Sequence, residues 1–237
     1  YHAVNIAVHV LTGFFLFLLI RKTLLIAGET YGSPLASRLK YPTAMAFLAS
    51  LLWLMHPLNT QSVSYIVQRM TSMAGMFYVL SMLCYVRCRA AGGRPGKAAY
   101  GAGSLLAGAF ALGSKEIAVT LPVFMMLYEW FFFQDMNRKW VKRMLILIFC
   151  AGAAVTALAF LYLGVNPMER VLAQYAGRDF TLPQRVLTES RVVVLYMSLI
   201  LFPYHGRLNL DYDFLLSYSL LNPPSTLLSL LFIAGML

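Results

Sequence analysis

Charge is what this sequence has least of. Only 12% of its 237 residues are Asp, Glu, Lys or Arg, about half the usual share in a soluble domain, so a water-facing surface cannot be covered. Acidic groups are scarcer still, nine against nineteen basic ones. Cysteine is sparse as well. Cys84-x-x-x-Cys88 has no second pair to complete a metal site, and Cys150 stands alone, so the thiols read as small structural hydrophobes with no disulfide expected. There is no glycine-rich phosphate loop, nucleophile elbow or paired metal-ligand motif, which removes the signatures of soluble enzymes. A signal peptide with a basic start and small-residue cleavage site is missing too.

What the chain has instead is grease punctuated by positive charge. Its hydrophobic share is 60% and its mean hydropathy +0.70. Twelve of the basic residues fall in three clusters: Arg21, Lys22, Arg38 and Lys40; Arg87, Arg89, Arg94 and Lys97; Arg138, Lys139, Lys142 and Arg143. Enough apolar sequence lies between consecutive clusters to cross a bilayer twice. Lys and Arg accumulate in short cytoplasmic loops, so the pattern predicts helical hairpins with basic loops in the cytoplasm and returns outside. The +10 net charge is then matched to anionic headgroups, on the order of 1 kcal/mol per residue. Nucleic acid is not expected as a partner, because the charge sits between membrane spans.

The reading is all-α, a polytopic transmembrane bundle of about eight hydrophobic segments. They run from Ala3 to Ile20, Thr43 to Met55, Ser62 to Val86, Ala98 to Gly113, Ile117 to Phe133, Met144 to Leu163, Val186 to Phe202, and from Thr226 onward. Gly28, Gly32 and Pro34 are expected to stop the first. Gly101, Gly103 and Gly108 suit close helix approach. Glu189 and Arg191 sit in the first turns of the seventh, which crosses with those groups at the outer interface or else re-enters.

Three loops then emerge on the outer face: His56 to Arg69, Ser114 to Glu116, and Gly164 to Arg185. The start of the first span, with Tyr1, His2, Asn5 and His9, joins them. The predicted basin holds His2, His56, Asn59, Gln61, Gln68, Arg69, Lys115, Glu116, Arg170, Arg185, Glu189 and Arg191. Convergence of polar groups at one membrane level marks a site. Simpler roles stand beside this one. His56-Pro57 is equally a helix stop, Lys115-Glu116 a solvated hairpin tip, and Arg185 with Glu189 an i,i+4 pair beside a snorkelling Arg191. His9 reads as a packing histidine. Asp211-x-Asp213 falls on the inner side and is weak evidence for metal.

His56-Pro-Leu-Asn-Thr-Gln-Ser-Val-Ser-Tyr-Ile-Val-Gln-Arg69 resembles the His-Pro-x-x-Thr-Glu/Gln-x-Val segment of membrane glycosyltransferases carrying tetratricopeptide repeats. These belong to the GT-C superfamily, whose eukaryotic relatives include O-mannosyltransferases acting on cadherins. Tyr1-His-Ala-Val-Asn-Ile-Ala-Val-His9 is similar to that family's second membrane helix, and Ser114-Lys-Glu-Ile-Ala-Val-Thr-Leu-Pro122 to its Lys-Glu turn. Asn166-Pro, Arg185-Val-Leu-Thr and Leu201-Phe-Pro through Asp213 resemble the segment beyond, so the likeness covers essentially all 237 residues.

The resemblance implies transfer of a sugar from a polyprenyl-phosphate carrier to a protein or other acceptor on the periplasmic or luminal face. Residues 1–237 would be a partial transferase domain. The family's first helix and first outer loop, with its principal acidic residue, would precede Tyr1, and soluble repeats would follow Leu237. Glu116 and His56 are the catalytic candidates within this stretch, and Lys115, Arg69, Gln68, Arg185 and Arg191 the phosphate-binding ones. Beyond the lipid-linked donor no cofactor is expected, no metal ligands are assigned, and membrane lipid is a partner. The alternatives are a lipid-linked-sugar transporter, disfavoured by the lack of an internal repeat, and a non-catalytic membrane scaffold.

Overall fold

In the computed structural model, residues 2–30, 40–163, 175, 177–208 and 214–236 are described. Tyr1, Gly32, Pro34, Arg38, Asn166, Arg170, Asp211 and Asp213, all named above, lie outside them. Among the described residues every regular element is helical, as long apolar runs in lipid require, since a helix satisfies its backbone polar groups internally. The chain divides into two compact units, 1–145 and 146–237.

The first unit opens with α1 (His2–Thr30). This helix continues past Arg21-Lys22 and through Gly28, ten residues beyond the Ile20 boundary expected from the sequence. Leu24 to Ala27 carry the apolar face onward, with Ile26 and Ala27 buried, and Thr23 meets the Tyr128 hydroxyl at 2.8 Å. Together they outweigh the roughly 1 kcal/mol cost of one helical glycine. Next is α2 (Pro42–Leu54), with proline in its first turn where no hydrogen bond is lost.

The span expected as one helix from Ser62 is broken. A 3₁₀ turn (Pro57–Asn59), a short α3 (Thr60–Ser64) and a second 3₁₀ turn (Ile66–Gln68) precede α4 (Arg69–Ala90). Then come α5 (Arg94–Ser114), a 3₁₀ turn (Glu116–Thr120) and α6 (Leu121–Phe133). The turn after α6 places Asp135 and Met136 in the left-handed region, at φ 44° and 54°. It leads into α7 (Arg138–Leu163), which continues into the second unit.

Helices α4 and α5 form the tightest pair, and small residues explain it. Ser81 Oγ donates to Ser104 O at 2.7 Å, and Ser104 Oγ returns a bond to Ser81 O at 3.0 Å. A Cβ on Gly101 would lie 3.6 Å from Cys88 Sγ, and one on Gly103 3.4 Å from Cys84 Sγ. On Gly108 it would lie 3.3 Å from Leu121 and 3.4 Å from Ser81 Oγ. The glycines are therefore spent on helix contact, as expected for packing in lipid. Large apolar residues point outward instead: Leu105 is 78% exposed and Phe110 59%. Such a surface is untenable in water and ordinary in hydrocarbon.

Of the eight segments expected, three are helices long and apolar enough to cross a membrane: His2–Thr30, Glu116–Phe133 and Arg138–Leu158. Pro42–Leu54 and Ser225–Met236 are apolar but shorter. Helices α4 and α5, of 22 and 21 residues, reach about 30 Å at 1.5 Å per residue, but their basic and small residues dilute the hydropathy. In the second unit, α8 (Leu182–Leu201) runs unbroken for 20 residues from a capping box on Thr181 and Gln184, and α9 (Ser225–Met236) packs on it.

Candidate functional site

The first unit has two polar ends. At the basic end, Arg21 Nε donates to Thr43 Oγ1 at 3.0 Å, and Glu129 organises a second cluster. Its Oε1 accepts from Arg89 Nη2 at 2.7 Å and Gln134 Nε2 at 2.8 Å. Its Oε2 accepts from Arg89 Nε at 2.9 Å and the Tyr85 hydroxyl at 2.5 Å. The Arg89 guanidinium also lies 5.1 Å from the Phe133 ring centroid. A buried carboxylate is tolerable only when so fully partnered. The sequence reading missed Glu129, although a lone acid in Leu-Pro-Val-Phe-Met-Met-Leu-Tyr-Glu-Trp-Phe-Phe-Phe is itself a request for a cation.

At the opposite end the linker 55–68 is stapled to α1 and α4. Asn5, fully buried, donates from Nδ2 to Val63 O at 3.3 Å and Tyr65 O at 3.5 Å. Its Oδ1 accepts from Arg69 Nε at 3.2 Å. One turn further along α1, His9 Nε2 sits 2.9 Å from Leu54 O and stacks on Trp53 with ring centroids 5.1 Å apart. Asn59 Nδ2 reaches Trp53 O at 2.6 Å. The last carbonyls of α2, orphaned by the end of the helix, are thereby satisfied by side chains. His56 Nδ1 accepts from Leu58 N at 3.3 Å and caps the first 3₁₀ turn, so the helix stop read from His56-Pro57 has a structural basis.

Beside this clasp runs a short relay. Lys115 Nζ donates to Thr71 Oγ1 at 2.7 Å, and Thr71 Oγ1 donates to Gln68 Oε1 at 2.8 Å. Lys115 is half-buried, and among the described residues no carboxylate pairs with it. Its neighbour Glu116 opens the 3₁₀ turn and faces outward, exposed. Four sequence candidates, Gln68, Arg69, Lys115 and His56, thus belong to one end of the first unit, where a half-buried ammonium and a guanidinium suit an anion. Thr71, the link between Lys115 and Gln68, had no sequence signal beyond its place in the first turn of α4. His2 is exposed and makes no hydrogen bond to these groups among the described residues.

Arg185, Glu189 and Arg191 belong to the second unit. Arg185 Nε lies 3.5 Å from Glu189 Oε1, the i,i+4 pair. Arg191 Nη1 donates to Leu215 O at 2.8 Å, reaches Ser217 Oγ at 3.4 Å, and its guanidinium lies 5.0 Å from the Phe214 centroid. Ser217 is in turn fixed by Thr188 and Thr226, at 2.9 Å each. Arg191 therefore anchors residues 214–217 against α8. No group of three His, Cys, Asp or Glu side chains among the described residues is placed to hold a metal ion.

Three helices long and apolar enough to cross a membrane mark the chain as a helical membrane protein, and cationic and polar candidate side chains meet at the end of the first unit away from Arg21 and Arg89. The chain is distantly related to a protein O-mannosyltransferase. It is 30% identical over 141 residues to mouse protein O-mannosyl-transferase TMTC2, and 31% over 141 residues to the human protein. In each case the match takes 59% of this chain and 15% of the relative. No protein-family profile and no solved structure matches the chain.

Proposed function

We propose that this chain is the membrane part of a glycosyltransferase that moves a sugar, mannose by analogy with its relatives, from a polyprenyl-phosphate carrier to an acceptor hydroxyl at the non-cytoplasmic face. The observation that carries the reading is the Lys115–Thr71–Gln68 relay beside Arg69, cationic and set at the end opposite the basic clusters. The distant relationship to an O-mannosyltransferase supports the reaction class.

The chemistry asks two things of the protein. The bond between sugar C1 and the phosphate oxygen breaks, its electron pair leaving on phosphate, while C1 bonds to the acceptor oxygen. Cations must take up the charge developing on phosphate, and a base must take the hydroxyl proton. Lys115 and Arg69 are the phosphate ligands, Arg69 through a fork that Asn5 orients and Lys115 as a point charge that Thr71 positions. Gln68 supplies a further polar contact. Glu116 orients the acceptor or the base, and His56 shapes the wall. Arg185 and Arg191 are further phosphate-binding candidates on the second unit.

The test uses vesicles holding the full-length protein, radiolabelled polyprenyl-phosphate mannose and a Ser/Thr-rich peptide. Wild type transfers label to peptide, Lys115→Met lowers the rate by about 100-fold, and Glu116→Gln by a similar factor. Wild-type rates in both variants would end the assignment. Movement of the labelled lipid across the vesicle without transfer would make the protein a transporter instead.

A further inference from the structure

The basic end of the first unit carries an open cavity of about 600 Å³ that the proposed reaction does not use. Phe17, Pro42, Ala44 and Phe47 give it apolar walls, and Lys40, Tyr41 and Thr43 its polar rim. Arg21 reaches the same rim from α1, since its Nε holds Thr43 Oγ1 at 3.0 Å. That bond uses one edge of the guanidinium. Its two terminal nitrogens make no hydrogen bond among the described residues, and no carboxylate there pairs with Arg21 or Lys40. Lys40 Nζ lies 5.9 Å from the Tyr41 centroid, swung over the ring rather than onto an acid. Both cations are exposed.

We infer that this cavity is a binding site for one anionic phospholipid, with its phosphate on Arg21, Lys40 and Thr43 and an acyl chain along Phe17, Ala44 and Phe47. Charge and shape argue together. A guanidinium with its terminal nitrogens exposed matches two phosphate oxygens. The Lys40 ammonium and the Thr43 hydroxyl line the same cavity and add donors, and its Phe17, Ala44 and Phe47 walls offer no side-chain polar group for a soluble anion's remaining surface. The cavity also sits where Tyr and basic residues gather at a membrane interface, so its natural occupant arrives laterally from the bilayer. A zwitterionic lipid brings its own ammonium near Arg21 and Lys40 and so binds more weakly than an anionic one.

The experiment counts lipids retained by the full-length protein in native mass spectrometry, with phosphatidylglycerol, phosphatidylcholine and soluble glycerol 1-phosphate as probes. Wild type retains phosphatidylglycerol and not phosphatidylcholine. Retention falls at least fivefold in Arg21→Gln/Lys40→Gln. It is unchanged in Lys139→Gln/Arg143→Gln, which removes the same charge from another cluster. Lys40→Gln alone, whose side chain makes no hydrogen bond among the described residues, separates lost binding from misfolding and lowers retention at least twofold. Equal retention by wild type and the Arg21→Gln/Lys40→Gln variant overturns the site, as does an equal fall in the Lys139/Arg143 control. Displacement of the phospholipid by glycerol 1-phosphate would show an anion site without a lipid groove and overturn the occupant.

Discussion

At the residue scale, two polar side chains buried among helices hold the ends of the first unit, and each makes a distinct prediction. Glu129 receives four hydrogen bonds from three side chains. Removing it leaves the Arg89 cation facing the Tyr85 hydroxyl and Phe133. Glu129→Ala should cost about 3 kcal/mol, the low end for breaking a buried pair, since the Arg89 side chain is 41% exposed and water takes part of its charge. Arg89→Met/Glu129→Met should be markedly more stable than Glu129→Ala, because neither charge is then stranded. Unfolding in graded dodecyl sulfate measures both. Asn5 is the corresponding residue at the far end. Asn5→Leu leaves the carbonyls of Val63 and Tyr65 without their donor and should cost about 1–2 kcal/mol. It should also speed proteolysis within residues 56–68, readable by timed digestion.

At the element scale, helix contact depends on small residues, and glycines divide by what they face. Gly108→Leu must push Leu121 and Ser81 aside and should destabilise by about 1–3 kcal/mol. Gly75→Ala, with nothing within 4 Å of the added carbon, should be neutral or slightly stabilising. The same unfolding assay separates the two. The helices themselves were legible because apolar runs and basic turns are local signals. So were the stop at His56-Pro57 and the close face of Gly101, Gly103 and Gly108. The break-up of 57–68 into two 3₁₀ turns and the short α3 was not, since Asn5 and Ser72 set it from other elements. Nor was the extension of α1 to Thr30, which rests on a contact with Tyr128 105 residues away. Arg89 was read as a headgroup-facing charge because its partner lies 40 positions downstream, in a run that looks wholly apolar.

At the scale of the whole molecule, the contacts of the first unit sort its residues into two ends consistent with the charge pattern. Arg21 meets Thr43 and Arg89 meets Glu129 at one end, while Asn5 meets Arg69 and Lys115 meets Thr71 at the other. In a background with Cys84, Cys88 and Cys150 replaced by serine, Thr60→Cys should react with impermeant maleimide from the non-cytoplasmic side. Gly92→Cys should react only after the membrane is opened. The reverse pattern would invert the sidedness and take the proposed acceptor site with it.

α1 has a mechanical consequence. Its 29 residues extend roughly 43 Å, while hydrocarbon is about 30 Å thick, so the rod must lean or protrude by two turns. Asn5 and Thr23 clamp it at both ends to different neighbours. A push delivered near Thr30 would therefore travel along a stiff lever and be felt some 37 Å away, where Asn5 grips Arg69. Whatever grips the protruding end of that rod has a handle on the Asn5–Arg69 contact at the other.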